Sequence, residues 1–205
     1  MYRVSSTSSI TPMDRNMFSQ IAQITDHLFL SSAAAVSGER VRGLSITHII
    51  NCTMDIPNLH VPGVDCIQIH VDDLPSANLS LYFDSVSDKI AQIHQRGGKT
   101  LVHCVAGVSR SASLCIAYLM KYYHKTLEDA YRHVKQKRSV IYPNFGFWRQ
   151  LIDYERRLFR TNSVKMVQSN IGWIPDVLEK ETRNMVWFSG PKSSSYRYSS
   201  RTGRF

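Results

Sequence analysis

Long apolar runs are missing from this sequence, and their absence excludes a membrane-spanning protein. A transmembrane helix needs roughly 18 consecutive apolar residues, whereas the longest apolar run, residues 114–120, ends at Lys121. The first twenty residues are rich in Ser and Thr and contain no apolar stretch, so we expect no secretory signal. We therefore predict a protein without integral membrane association.

Cysteine is also scarce, and its spacing is not that of a metal site. The chain has four cysteines and no Cys-x-x-Cys pair: Cys52, Cys66, Cys104 and Cys115. Without a secretory signal, this pattern argues against a disulfide framework or a zinc cage. We expect the protein in the cytoplasm, with the nucleus as a further location. In a reducing compartment a distinctive cysteine is of interest for its reactivity.

Acidic residues are outnumbered, and the formal net charge is +9. Such a charge is compatible with nucleic acid, an anionic surface or an anionic substrate. Four of the basic residues lie in residues 189–205, which contain no acidic residue. The basic run at residues 135–138 ends a predicted helix, and we interpret it as a solvated terminus that complements the helix dipole. We therefore expect no nucleic-acid partner.

The chain length leaves room for one domain with tails, and the 43% hydrophobic content excludes wholesale disorder. We predict a flexible arm over residues 1–19, a catalytic domain over 20–160, an extension that packs on it over 161–188, and a disordered basic tail over 189–205.

Hydrophobic periodicity predicts strands at 23–24, 28–30, 47–52, 66–71 and 100–104. It predicts helices at 33–44, 79–94, 111–123, 127–134 and 144–158, and a further helix near Pro175. Strands interleaved with helices indicate an α/β layered domain.

The chemistry is concentrated between the last predicted strand and the buried helix that follows it. Residues 103–111 have the sequence His-Cys-Val-Ala-Gly-Val-Ser-Arg-Ser. Each residue alone has an ordinary structural explanation, such as packing for Cys104 or an ion pair for Arg110. Their joint occurrence in a strand-loop-helix context makes this a specific motif.

The spacing between Cys104 and Arg110 has a physical reason. A short loop between Cys104 and Arg110, at the N-terminus of a helix, can form a cup of inward-facing amides that binds a tetrahedral oxyanion. Gly107 permits the backbone conformation and the close approach that a side chain would hinder. The same amides stabilise a thiolate on Cys104. The planar guanidinium of Arg110 can hold two phosphoryl oxygens.

Two further groups complete the expected chemistry. Ser111 can donate a hydrogen bond to the sulfur as it leaves a phospho-enzyme, and His103 is expected to hold the backbone of the cup. A leaving oxygen also needs an acid. Asp73 or Asp72 can supply the proton, since both lie in the loop 71–75, which follows a predicted strand; turn capping is the structural alternative for this pair.

These residues resemble the signature of the protein tyrosine phosphatase superfamily, and the Arg-Ser-Ala at 110–112 is typical of its dual-specificity branch. Residues 117–121, 143–148 and 73–75 also fit, and segments near the C-terminus resemble the small atypical dual-specificity phosphatases. The resemblance implies an α/β (α+β) fold with a five-stranded mixed central sheet flanked by helices.

Residue by residue, the resemblance implies Cys104 as nucleophile, Arg110 as phosphate clamp, Asp73 as general acid and Ser111 as the aid to thiolate release. Asn144 matches a motif asparagine that helps to order the loop, and it also suits a helix N-cap. The substrate phosphate is expected to bind the loop residues Val105, Ala106, Gly107, Val108 and Ser109 together with Arg110. No metal and no cofactor are expected.

The expected activity is hydrolysis of phosphotyrosine and phosphoserine/phosphothreonine in proteins, through a cysteinyl-phosphate. Phosphorylated signalling proteins such as MAP kinases are the expected partners, and the oligomeric state stays open. Two alternatives remain: a phosphopeptide-binding pseudophosphatase, and a phosphatase for phosphoinositides or RNA 5′ ends. The neutral side chains of Val105, Ala106 and Val108 disfavour a lipid phosphate, since lipid-directed loops tend to carry Lys beside the nucleophile.

Overall fold

The computed structural model describes residues 19–170 and 172–179. The predicted basic tail, residues 180–188 of the predicted extension and all of the predicted arm but Ser19 lie outside the described residues. Within 19–170 and 172–179, none of the helices has both the length and the apolar character that crossing a bilayer requires.

The centre of the fold is a five-stranded mixed sheet, as predicted. Its strands are β1 (Ala22–Gln23), β2 (Leu28–Ser32), β3 (His48–Asn51), β4 (Asp65–Gln68) and β5 (Thr100–Cys104), arranged in the order β1-β2-β5-β3-β4. The pairing of β1 with β2 is antiparallel, and the other three pairings are parallel. The α/β fold class, with helices beside a mixed sheet, is thereby confirmed.

Alternation along the central strands divides the core between the two faces of the sheet, because successive side chains in a strand point to opposite faces. The smaller core contains Phe29, Ile49 and Leu101 together with Val41 of the first helix. The larger core contains the alternate strand residues, Leu28, Leu30, Ile50 and Val102, with side chains of the later helices. Both faces are buried, which accounts for the nearly continuous apolar character of β5.

Five complete α-helices of the described residues surround the sheet: α1 (Gly38–Gly43), α2 (Phe83–Gln95), α3 (Arg110–Tyr123), α4 (Leu127–Lys137) and α5 (Phe145–Phe159). Polar side chains cap three of their N-termini. Ser37, Thr126 and Asn144 each accept a hydrogen bond from a backbone N–H of the first turn, which satisfies donors that a helix start leaves free.

One predicted helix is interrupted. The prediction of a continuous helix over 33–44 is wrong, because Ser37 is extended and caps α1. A short 3₁₀ turn, Ala33–Ala35, precedes it. A short 3₁₀ segment, Leu79–Tyr82, likewise precedes α2.

The helix predicted to start near Pro175 falls largely on residues 180–188, which lie outside the described residues. Up to Pro175 the chain forms an antiparallel hairpin of β6 (Met166–Ser169) and β7 (Gly172–Pro175), which the sequence analysis did not predict; a 3₁₀ turn at Asp176–Leu178 and the helical residue Glu179 follow. Gly172 has φ +107°, a turn conformation that glycine tolerates. Val164, Ile174 and Leu178 are buried. The extension therefore packs on the domain through a few apolar side chains, one in the hairpin and two beside it.

A buried carboxylate connects the extension to the helices. Oε1 of Glu155, on α5, accepts hydrogen bonds from the backbone N–H of Leu127 and the hydroxyl of Ser163, both at 2.7 Å. Oε2 accepts the backbone N–H of Ser163 at 2.8 Å. Leu127 is the first residue of α4, and Ser163 lies between α5 and β6. A buried carboxylate is tolerated only when its oxygens are bonded in this way.

We predict that Glu155→Ala lowers the free energy of unfolding by about 3 kcal/mol, since it leaves buried donors without an acceptor. Urea unfolding followed by circular dichroism measures the loss. The control is Glu128→Ala, which removes an exposed pair with Arg132 and should cost less than about 0.5 kcal/mol. Equal midpoints for the two variants would contradict the structural role of Glu155.

Candidate active site

The candidate site lies at the carboxyl edge of the parallel strands. Cys104 is the last residue of β5 and Arg110 the first of α3; we call residues 104–110 the phosphate loop. Ser32, at the end of β2, lies opposite Cys104 in the register. Backbone hydrogen bonds from Ala33 N–H to the Val105 carbonyl (3.1 Å) and from Cys52 N–H to the His103 carbonyl (2.8 Å) fix the start of the loop.

The Cys104 sulfur receives two hydrogen bonds from the surrounding loop. The backbone N–H of Gly107 donates at 3.2 Å and the hydroxyl of Ser111 at 3.1 Å. Cys104 itself is 1% exposed, so the sulfur lies at the base of the cup. The structure therefore brings together three of the sequence-predicted residues, Cys104, Gly107 and Ser111, around one atom.

Position 107 requires glycine for two reasons: its backbone conformation and the close approach of neighbouring backbone. Its φ is +66°, in the left-handed region that side chains disfavour. A Cβ at this position would collide with the backbone of Ser31 and Ser32 at the end of β2. Any other residue would push the loop away from the sheet and lengthen the Gly107 N–H contact to the sulfur.

Two neighbours, Val71 and Asp73, hold the guanidinium of Arg110 at the site. The residue is 7% exposed, and its Nη1 donates to the carbonyl of Val71 at 3.1 Å. Its Nε lies 3.5 Å from Oδ2 of Asp73. Among the described residues, this Nε is a buried donor without a hydrogen-bond partner. Since a buried unpaired donor is costly, the arrangement suits an oxyanion ligand beside Arg110.

Asp73, in the loop 71–75, faces the phosphate loop. Its Oδ1 accepts hydrogen bonds from the Ser109 hydroxyl at 2.6 Å and from Nδ2 of Asn144 at 2.8 Å. With Oδ2 near Arg110, both carboxylate oxygens point toward site residues. Asp72, the alternative left open by the sequence, is exposed as Asp73 is, so burial does not separate the two. The contacts thus single out Asp73 as the carboxylate that lies within the site.

Asn144 links three structural elements. Its Oδ1 caps α5 by accepting the Phe147 N–H at 3.0 Å, its backbone N–H donates to the Ser109 hydroxyl at 3.1 Å, and its Nδ2 binds Asp73. The loop 71–75 approaches α5 so closely that a Cβ on Gly146 would overlap the backbone of Pro75. The first turn of α5 therefore fixes the position of the loop 71–75.

His103 lies behind the cup. Its Nδ1 is 3.4 Å from the carbonyl oxygen of Cys104, and burial lowers the pKa of its imidazole below the ordinary value. A neutral, buried imidazole beside the backbone fits a supporting position.

Arg138 is a site residue that the sequence analysis missed. It is 4% exposed, so the interpretation of the 135–138 run as a solvated terminus is wrong for this residue. Its Nε donates to the Gly107 carbonyl at 2.8 Å and its Nη2 to the Ala106 carbonyl at 3.1 Å, while Nη1 donates to the Gln20 carbonyl at 2.9 Å. The only available sequence signal was its position between Val134 and Ile141, which are both buried.

The Arg138 guanidinium also contributes charge. Burial lowers its pKa, and the negative charge of a nearby Cys104 thiolate partly offsets that effect. A guanidinium stays protonated in proteins. Arg138 thus places a permanent cation behind the phosphate loop while its fork aligns two of the loop carbonyls.

Apolar side chains flank the mouth of the site. Leu74, which follows Asp73, and Val105, which follows Cys104, are 55% and 52% exposed. The backbone N–H of Tyr142 donates to the Val108 carbonyl at 2.9 Å, and the Tyr142 ring lies 6.1 Å from that of Phe145. A substrate entering the cup would therefore meet aliphatic and aromatic surface around the phosphate.

Comparison with known proteins agrees with this geometry. The sequence matches the family described as "Dual specificity phosphatase, catalytic domain" over residues 28–157. It is 51% identical to human dual specificity protein phosphatase 14 over 171 residues, covering 83% of this chain and 86% of that protein. It is 44% identical to rat dual specificity protein phosphatase 18 over 180 residues, covering 87% and 88%.

Solved structures show the same architecture. The fold is similar to the crystal structure of human DUSP28, with a TM-score of 0.65 and 34% identity, covering 67% of this chain and 94% of that one. The family match includes every residue that the sequence analysis assigned to the site. The predicted resemblance is confirmed, and the chain belongs to the dual-specificity phosphatase family.

Proposed function

We propose that this protein is a phosphatase that hydrolyses phosphotyrosine and phosphoserine/phosphothreonine in proteins through a cysteinyl-phosphate intermediate. The observation that carries the proposal is the Cys104 sulfur at the base of the cup, bonded by Gly107 N–H and the Ser111 hydroxyl. Family membership and the names of the curated relatives support the reaction class.

In the first step the Cys104 thiolate attacks phosphorus. An S–P bond forms, the P–O bond to the substrate breaks, and the Asp73 carboxyl gives its proton to the departing oxygen. The loop amides and the Arg110 fork bind the phosphoryl oxygens and stabilise the charge that spreads over them in the transition state. The Nε of Arg110, which lies 3.5 Å from Asp73 Oδ2 and has no hydrogen-bond partner among the described residues, is placed to make one of these bonds.

In the second step water attacks the cysteinyl-phosphate. Asp73, now a carboxylate, takes a proton from that water, the S–P bond breaks, and inorganic phosphate leaves. The sulfur departs as a thiolate, which the Ser111 hydroxyl stabilises through its 3.1 Å hydrogen bond. All the groups needed for this chemistry are side chains or backbone amides of the protein.

We place the substrates among phosphorylated signalling proteins such as MAP kinases, in the cytoplasm or nucleus. The support is the resemblance to dual-specificity phosphatases together with the exposed apolar rim of Leu74 and Val105, which suits peptide side chains. Intact positions for nucleophile, clamp and acid favour an enzyme over a phosphopeptide-binding pseudophosphatase.

The direct test is hydrolysis of p-nitrophenyl phosphate, followed by phosphotyrosine and phosphothreonine peptides and soluble inositol phosphates. We expect the wild type to be active on p-nitrophenyl phosphate and on both peptides, and Cys104→Ser to be inert. An inactive wild type would contradict the proposal. Faster turnover of the inositol phosphates than of the peptides would reassign the substrate class.

The role of Asp73 gives a separate prediction. Asp73→Asn keeps the size of the side chain but cannot donate a proton, so kcat on phosphotyrosine peptide should fall about 10²-fold and the basic limb of its pH profile should flatten. Asp72→Asn is the matched control and should leave kcat and the profile unchanged. If only Asp72→Asn has these effects, Asp72 is the general acid.

Arg138 is proposed as a positioning residue. Arg138→Met removes the cation and the bonds to the carbonyls of Ala106 and Gly107, so the loop donors move away from the phosphoryl oxygens. We expect kcat/KM to fall about 10²-fold, with partial rescue by Arg138→Lys, which keeps the charge. The exposed Arg132→Ala is the control. Unchanged kinetics in Arg138→Met would contradict this role, whatever its effect on stability.

A further inference from the structure

A second cluster of functional side chains lies at the end of the sheet away from Cys104. Asp26, His27 and His94 each offer one ligand atom, and these atoms all lie within 4.8 Å of one another. His27 immediately precedes β2, whose last residue, Ser32, lies opposite Cys104. Five residue steps of strand separate His27 from Ser32, about 16 Å, so this cluster is independent of the active site.

The imidazole of His27 is held in a fixed orientation. Its side chain is 4% exposed, its Nδ1 lies 2.6 Å from Oδ1 of Asp26, and its Nε2 lies 2.7 Å from the hydroxyl of Tyr118 on α3. Histidine ligands of metal ions nearly always use the second ring nitrogen for an outer hydrogen bond that fixes the ring. Tyr118 supplies that bond here, and it directs Nδ1 toward the carboxylate.

The turn that carries the first two groups is tightly bonded. The backbone N–H groups of Ile24 and Thr25 donate to the Leu28 carbonyl at 2.8 and 3.1 Å, and the Leu28 N–H donates to the Thr25 hydroxyl at 3.1 Å. Asp26 and His27 are therefore presented together by a short, closed turn. A ligand would not have to order this part of the chain when it binds.

His94 comes from another element, the last turn of α2. Its ring stacks on that of His27, with centroids 3.6 Å apart and planes 13° from parallel. Because a metal ion lies in the plane of each imidazole that binds it, the His94 ring must turn from this stack. His94 is exposed, which leaves room for that rotation. The Asp26 side chain is 78% exposed, so solvent reaches the cluster.

We propose that Asp26, His27 and His94 form a Zn²⁺ site with water as the fourth ligand. Two imidazole nitrogens and one carboxylate are a donor set that suits zinc and not Mg²⁺ or Ca²⁺, which prefer oxygen alone. The ion would join the start of β2 to the end of α2, and it would stabilise the folded domain without taking part in phosphate hydrolysis.

The test is calorimetric titration of Zn²⁺ into the full chain carrying Cys104→Ser, since a catalytic thiolate is itself a metal ligand. We expect one saturable equivalent and a higher Tm with zinc. Asp26→Asn, which keeps an acceptor for His27, and His94→Ala should each weaken zinc binding by more than about 100-fold, the upper end of what the loss of an outer-shell partner costs. Both positions are exposed, so folding is not at risk.

The control is His60→Ala, another exposed histidine outside the cluster, which should bind zinc as the parent does. A saturable equivalent that is weakened in both ligand variants and retained in His60→Ala establishes the site. Absence of saturable binding, full affinity in either ligand variant, or an equal loss in His60→Ala overturns it. Because the titration uses a Cys104→Ser chain, its outcome does not depend on the proposed phosphatase activity.

Discussion

Two hydrogen bonds to one sulfur atom are the constraint on which the rest of this structure depends. Gly107 N–H and the Ser111 hydroxyl both point at Cys104, and they can do so only if a strand ends and a helix begins within a few residues of that sulfur. Donors to a buried sulfur favour its anionic form. A backbone N–H and a hydroxyl that point into the cup are also the donors that the oxygens of a phosphoryl group accept from.

The rest of the domain keeps that short loop in place from both sides. Arg138 donates hydrogen bonds to the carbonyls of Ala106 and Gly107, and the amide between them, Gly107 N–H, points at the Cys104 sulfur. On the substrate side, Asn144 joins the phosphate loop, through Ser109, to Asp73. The loops that carry Cys104 and Asp73 come from segments far apart in sequence, yet the side chain and the backbone of Asn144 connect them. Their relative position is therefore a property of α5 as much as of either loop.

Much of the fold and the central motif could be predicted from the sequence, because both are local patterns. The apolar alternation of the strands and the sequence around Cys104 are contiguous. Arg138 was missed because its partners, Gln20 and the loop carbonyls, are distant in sequence and are backbone groups that carry no sequence signal. The stacking of His27 on His94 is equally invisible, since it arises where a turn and a helix end meet. The hairpin at 166–175 was missed because short apolar segments do not distinguish helix from strand.

The account is tested most directly by trapping the covalent intermediate. Asp73→Asn should still accept phosphate from p-nitrophenyl phosphate, whose leaving group needs little protonation, but it lacks the base that activates water. Acid quenching during turnover, followed by peptide mass spectrometry, should find one phosphoryl group on the peptide containing Cys104, at the cysteine. Continued hydrolysis with no phosphorylated peptide, or with the phosphoryl group on another residue, would contradict the central claim.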